Sequence, residues 1–493
     1  MGRRDALLRL SIMAALLLGG AMAPVFAADV KNLSVTVSSG SQANAYGGYT
    51  IEEGASALQN ALTLSGPAKV LGASAGGWSR WGNAEWNTLT IRLDEDGLLG
   101  PSDIVGGGVA ESEGGGAAVH NTVYIESGTV EGTVEGGVAV GINGVGDGTG
   151  DVLSNQVTMS GGTVYSVFGG ETGEGNANDN VVTIKGSAAV TGKSNAVYGG
   201  YTIDGNASGN IVNIEDDADI HGEIMGGYTR AGSLISGNKV NVTGGNVNEN
   251  TVYGVYTAYG DVLDNQAVIK GTGQAGSSDT NSVYAGFTNI GAAAGNILYI
   301  QDSAEIAGSA FAGYQGGFIS SETVERNQVF MSGGSVNGDL TGGGSNNGGE
   351  TLNNYVEITG GTVSGNVYSG FTDSADALEN TLTVAGGRVE GSLFGGYSNT
   401  GTANENKLTF SAGTAGSDAY GGYAQEGADG NEAVLSGTSV LEGNAAGGSS
   451  ARGEASGNSL TIKENSEVKG DAAGGDVYMG TISKNIITIQ YNA

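Results

Sequence analysis

Apolar and polar positions alternate along this chain in short runs, and no run carries a helical period over even about eight residues. In residues 380–397, NTLTVAGGRVEGSLFGGY, Leu382 and Val384 fall on one side of an extended strand and Thr381 and Thr383 on the other. A glycine turn leads to a second short piece around Val389, and Leu393 to Tyr397 make a third. The pattern predicts three strands, each with one dry face, separated by Gly or Asn corners.

The same unit returns throughout. A Gly-Gly-aromatic phrase, intact or degenerate, recurs sixteen times, and each copy is followed by Asn-x-φ-x-φ, where φ is apolar. The Asn never fails: 60, 87, 121, 155, 180, 210, 238, 265, 296, 327, 354, 380, 406, 431, 458 and 485. The mean period of about 28 residues lies in the range of solenoids and arrays. The pieces are too short for a hairpin meander, and no proline follows Pro101, as suits a chain whose backbone N–H groups are needed in ladders. The expectation is an all-β, single-stranded parallel β-helix of about 16 coils, each roughly 26–33 residues long. The Asn shares strand parity with the apolar residues after it, so it belongs at an inward corner with its amide bonded to the coils above and below.

Composition sharpens this picture. Glycine is 94 of 493 residues without a three-residue period, and 39% of residues are hydrophobic, too many for a disordered linker. Cysteine is absent, so stacking rather than cross-linking must hold the fold. Residues 1–27, with Arg3 and Arg4 ahead of an apolar run and Val25-Phe26-Ala27 before Ala28, read as a secretory signal peptide, leaving 28–493 as the repeat domain. No later segment is apolar enough to cross a bilayer as a helix. The net charge of −32 argues against nucleic acid and anionic lipid as partners.

Two aromatic columns flank the glycine pair. The later one (Tyr49, Trp78, Tyr201, Tyr228, Tyr256, Phe287, Tyr314, Phe371, Tyr397, Tyr423) has the parity of the preceding apolar residue and is expected in the core. The earlier one has the opposite parity. It is expected to face outward, and Tyr198, Tyr253, Tyr284, Tyr368, Phe394 and Tyr420 form a candidate surface-binding stripe. Chemistry is harder to find. Polysaccharide-cutting enzymes on β-helices need clustered carboxylates, or carboxylates holding Ca²⁺ beside a basic residue. The one dense acidic run, Glu215 to Asp219, lies at a turn with no Arg or Lys in register, and His120 and His221 stand alone. Asp147 and Asp151 in a glycine loop lack the tandem copies a Ca²⁺ shell requires. The Thr column (63, 90, 158, 183, 383, 409, 461, 488) has a mixed neighbour, so it reads as a solvated strand face and not as an ice-binding one. The reading is therefore non-enzymatic, with no catalytic residue, metal or cofactor expected, and a polysaccharide lyase or hydrolase is the alternative.

The repeat style GGTVSGNVYSG, residues 360–370, behind a signal peptide resembles the passenger region of bacterial autotransporters over essentially all of the mature chain. The resemblance implies a right-handed β-helix, exported and displayed at a Gram-negative outer membrane or released outside the cell. It also implies adhesion to host or bacterial surface glycans or proteins. This chain stops at NIITIQYNA, without the family's C-terminal β-barrel. The expectation is a lost or separate outer-membrane barrel, or end-to-end self-association through the uncovered Ile487 and Ile489. Longer corners at 138–154 and 314–326 are expected to protrude on one edge.

Overall fold

The computed structural model describes residues 29–490 except 102–103, 112–114, 142–147, 195, 249, 277–282, 318–320 and 347. Residues 1–27, where a signal peptide is expected, Asp147 and parts of both long corners lie outside these residues. The chain divides into two compact units, residues up to 222 with 227–230, and residues 223–226 with 231–493. Among the described residues all regular structure is β, and the fold is a parallel β-solenoid of about 16 turns.

In the first unit Leu89 pairs with Leu62 and Val123, and Ile91 with Leu64 and Ile125, all in parallel and all fully buried. In the second, Leu382 pairs with Val356 and Leu408, and Val384 with Ile358 and Phe410. Register is held because a one-residue slip would turn these apolar side chains out to water.

Each Asn but the last, the half-buried Asn485, is buried at the corner ahead of these strands. Its Oδ1 accepts from the backbone N–H and the side-chain amide of the Asn one coil earlier, as Asn87 does for Asn60 at 2.9 and 3.1 Å. Its Nδ2 donates both to the next Asn in the column and to a carbonyl one coil back, Asn87 to Ala57 at 2.9 Å. The second unit repeats this from Asn238 to Asn485.

Two features are not visible in strand periodicity. A fourth strand of two or three residues precedes the Asn in most coils, as at Ala57–Leu58 and Ala377–Leu378, too short to show a period. Between it and the Asn stands a residue in the left-handed region in every coil. Gly fills it at 209, 237, 295, 430 and 457, but so do Gln59, Trp86, His120, Arg326, Glu379 and Lys484, at φ near +55°. Inside the next corner runs a second polar column, where Ser79, Thr202, Thr229 and Ser398 hydroxyls donate to carbonyls of the preceding coil at 2.6–2.8 Å.

The glycine pair explains how the outer face is built. A Cβ on Gly47 would run into the backbone of Gly76 and Ala61, and one on Gly48 into the Asn60 side chain. Both glycines therefore face inward in succession, and the ladder skips the first of them, pairing Tyr46 with Ala75 and then Gly48 with Gly77. This breaks the two-residue alternation. The aromatic residues on either side of the pair consequently emerge on the same, outer, face.

Candidate functional site: a double aromatic ladder

The parity break corrects the expectation for the later aromatic column, which is half-buried on the outer face and not in the core. The two columns stand side by side as two rows of stacked rings. In the second unit the earlier row runs Tyr253, Tyr284, Phe311, with centroids 5.3 and 5.0 Å apart and planes within 12°. Its neighbour runs Tyr256, Phe287, Tyr314 at 5.1 and 5.6 Å. A second block joins Tyr368, Phe394 and Tyr420 to Phe371, Tyr397 and Tyr423 in the same way. Between the rows the rings meet edge to face, as Tyr253 and Tyr256 do at 5.4 Å and 77°. In the first unit Phe168, Tyr201 and Tyr228 stack along one line, with Tyr198 edge-on to all three.

Of the six residues assigned from sequence to an exposed stripe, two are covered: Tyr198 is 1% exposed and Phe394 8%. Neighbouring rings close over them. Tyr253, Tyr284, Tyr368 and Tyr420 are half-buried. Stacking along the row consumes ring faces, so what each row offers to water is ring edges and phenol hydroxyls. Burial raises the phenols, Tyr46 and Tyr201 to about 12, and Tyr253, Tyr314, Tyr368 and Tyr420 further. Asp373 adds to the rise at Tyr314 and Tyr397. Several hydroxyls are engaged at the rim: Asn366 Nδ2 donates to Tyr368 at 3.0 Å, Asn289 Nδ2 to Tyr256 at 3.1 Å, and Tyr420 donates to Asp418 at 3.2 Å.

The first unit interrupts its rows with carboxylates. Glu135 is buried in the earlier row and accepts the Val105 N–H at 3.3 Å. Glu171 stands in the later row one coil on, where burial pushes its carboxyl up to about 8. Their diagonal relation is the one that brings Phe168 and Tyr201 to 5.7 Å and Tyr46 and Trp78 to 5.4 Å.

The other sequence candidates resolve into structural parts. Asp216 Oδ2 accepts the Gly186 N–H at 3.2 Å and Asp219 pairs with His221 at 2.9 Å, so this acidic run fastens coils and turns. Asp151 accepts from Asn176 at 2.8 Å. At the long corners, Val138 and Val140 are buried strand residues and Gln315 is buried and bonded to Gly291 O and Glu322 O. Those parts do not protrude. Among the aromatic groups that escaped the sequence reading are Trp86, 56% exposed and stacked on His120 at 4.2 Å, and the stacked pair Tyr299 and Phe330, against which Tyr355 tilts from the neighbouring column. The second was legible as a 31-residue recurrence in the Thr column; the first was hidden because the corner position tolerates nearly any residue type.

No helix among the described residues is long and apolar enough to cross a membrane. In comparison with known proteins, no family model, no curated protein and no solved structure matches this chain.

Proposed function

We propose that this chain is a non-enzymatic β-solenoid of the cell surface or extracellular space, passenger-like in the autotransporter sense, that adheres through its aromatic face. The observation that carries the reading is the double ladder itself. The inner columns already form the core and bond coil to coil, and the chain in addition places rings at two outer positions in coil after coil, where they keep partly exposed edges and hydroxyls. Rigid aromatic surface presents large contact area at low entropic cost. Surface glycans or proteins are the partners this chemistry suits.

The test is a cell-binding and glycan-array assay of the chain without its first 27 residues. Replacing Tyr256, Phe287, Tyr397 and Tyr423 by Ser should reduce binding roughly tenfold or more. Undiminished adhesion by a folded variant would remove the aromatic face from the account. A second reading, a polysaccharide-active enzyme, draws on Glu135 and Glu171, two carboxyls set diagonally in adjacent coils, since acid-base chemistry on a glycan needs a pair of carboxyls. Release of reducing ends from a neutral or acidic polysaccharide, abolished by Glu171→Gln, would establish it; no release would dismiss it.

A further inference from the structure

Between the two aromatic blocks of the second unit both rows fail together in one coil; after Tyr420 and Tyr423 they end, at Ala446 and Ser449. Register places Thr341 between Phe311 and Tyr368, and Gly344 between Tyr314 and Phe371. Every coil from 253 to 311 and from 368 to 420 carries rings at both positions, so this coil leaves a one-rung notch. Its walls are the faces of the flanking rings, which inside each block are covered by the next ring.

Two observations mark the notch as more than a gap. Tyr314 leans into it: its plane departs by 30° from Phe287, against 8° for the pair before, and its Cδ2 would lie 2.8 Å from a Cβ on Gly344. On the floor, Thr341 is 2% exposed, yet its hydroxyl is not among the fully buried atoms, so it keeps a narrow contact with water that a ligand hydroxyl can take over.

We propose that this notch is a binding slot for one neutral pyranose residue of a glycan, with Tyr314 as its movable wall. The inference rests on the adhesive reading above and names the ligand class for one place on that face. Two coil spacings make roughly 9.6 Å. Carbon contacts on both sides use about 3.5–4 Å each, leaving a slab a couple of ångströms deep. A chair sugar fills that depth better than a flat ring, and its hydroxyls can pair with Thr341, which an aromatic side chain cannot. Acidic sugars are disfavoured by the chain's charge of −32. Entry requires Tyr314 to swing back parallel to Phe287.

The experiment is calorimetric titration of the full chain with soluble neutral and acidic oligosaccharides chosen from an array. The double substitution Thr341→Tyr with Gly344→Tyr supplies the missing rungs, and should keep the β circular-dichroism signal and melting temperature while weakening neutral-glycan binding roughly tenfold or more. Thr341→Val, which keeps the side-chain shape, guards against a folding failure and should weaken binding several-fold; Tyr124→Ser, an exposed ring on an Asn-led strand of the first unit and outside both aromatic rows, should leave it unchanged. Undiminished affinity in a folded rung-filled chain or in Thr341→Val, or binding of acidic glycans alone, overturns the slot. If the slot variants bind normally while the Tyr256, Phe287, Tyr397 and Tyr423 variant does not, the slot fails and the adhesive face stands. No binding to any glycan or cell ends both.

Discussion

At the scale of single residues, the inner corner shows why asparagine recurs. One side chain must accept two hydrogen bonds at Oδ1 and donate two from Nδ2, in a fully buried place, and only a primary amide of this length does so. Asn327→Ala would leave the Asn296 backbone N–H and the Ala293 carbonyl without their partners. We expect a loss of about 2–4 kcal/mol, read as a fall in the urea midpoint at unchanged slope. An unchanged midpoint would show the column to be ornamental. The residue before each Asn makes the opposite case, because its left-handed backbone is costly for any residue with a Cβ. Glu379 sits at φ 55° with its backbone N–H bonded to Asn404 O. Glu379→Gly should therefore stabilise by up to about 1 kcal/mol, partly offset by the greater freedom of glycine when unfolded. A destabilised variant would mean that the Glu side chain does more than stand at the corner.

At the scale of elements, the strand carrying the glycine pair is where packing and surface chemistry meet. Two consecutive inward glycines let the strand press against the Asn column, and the broken alternation sends both flanking rings outward. A carboxyl in such a row is out of place, which gives Glu171 a stated pH signature. Below about pH 4.5 it is protonated whether the chain is folded or not. Between there and about pH 8 the unfolded chain gives up its proton first, so stability falls as pH rises, and above that the loss is complete. With its partial exposure discounted, the loss is on the order of 2 kcal/mol. Glu171→Gln should flatten thermal stability over that window and melt higher at pH 9; a parallel pH profile in the variant would show that Glu171 is well solvated.

At the scale of the whole molecule, a solenoid's stability is close to a sum of coils and the contacts between neighbours. Excising residues 381–406 joins Asn380 to Lys407, which begins a strand of the same pattern, Lys407 to Phe410 after the Asn. The shortened chain should keep its β spectrum per residue and lose only modest stability. Excising half that length should unfold the neighbourhood, because it puts apolar positions against polar ones. Equal damage from both deletions would deny the coil its status as the unit of the fold. The repeat, the parallel coils and the buried Asn column were legible in sequence because each rests on chemistry local to one coil: an amide no other residue replaces, alternation of period two, and glycine where backbones approach. The faces of the aromatic columns were not, since the parity rule assumes an unbroken strand and the glycine pair breaks it only under the pressure of the next coil and the Asn beside it. Likewise the left-handed corner accepts Trp, Arg or Glu as readily as Gly in the sequence, because cross-coil hydrogen bonds hold that backbone in place. Which rings are covered, where both rows break at Thr341 and Gly344 and how Tyr314 comes to lean on Gly344 were decided by stacking, the one interaction that a single strand cannot express.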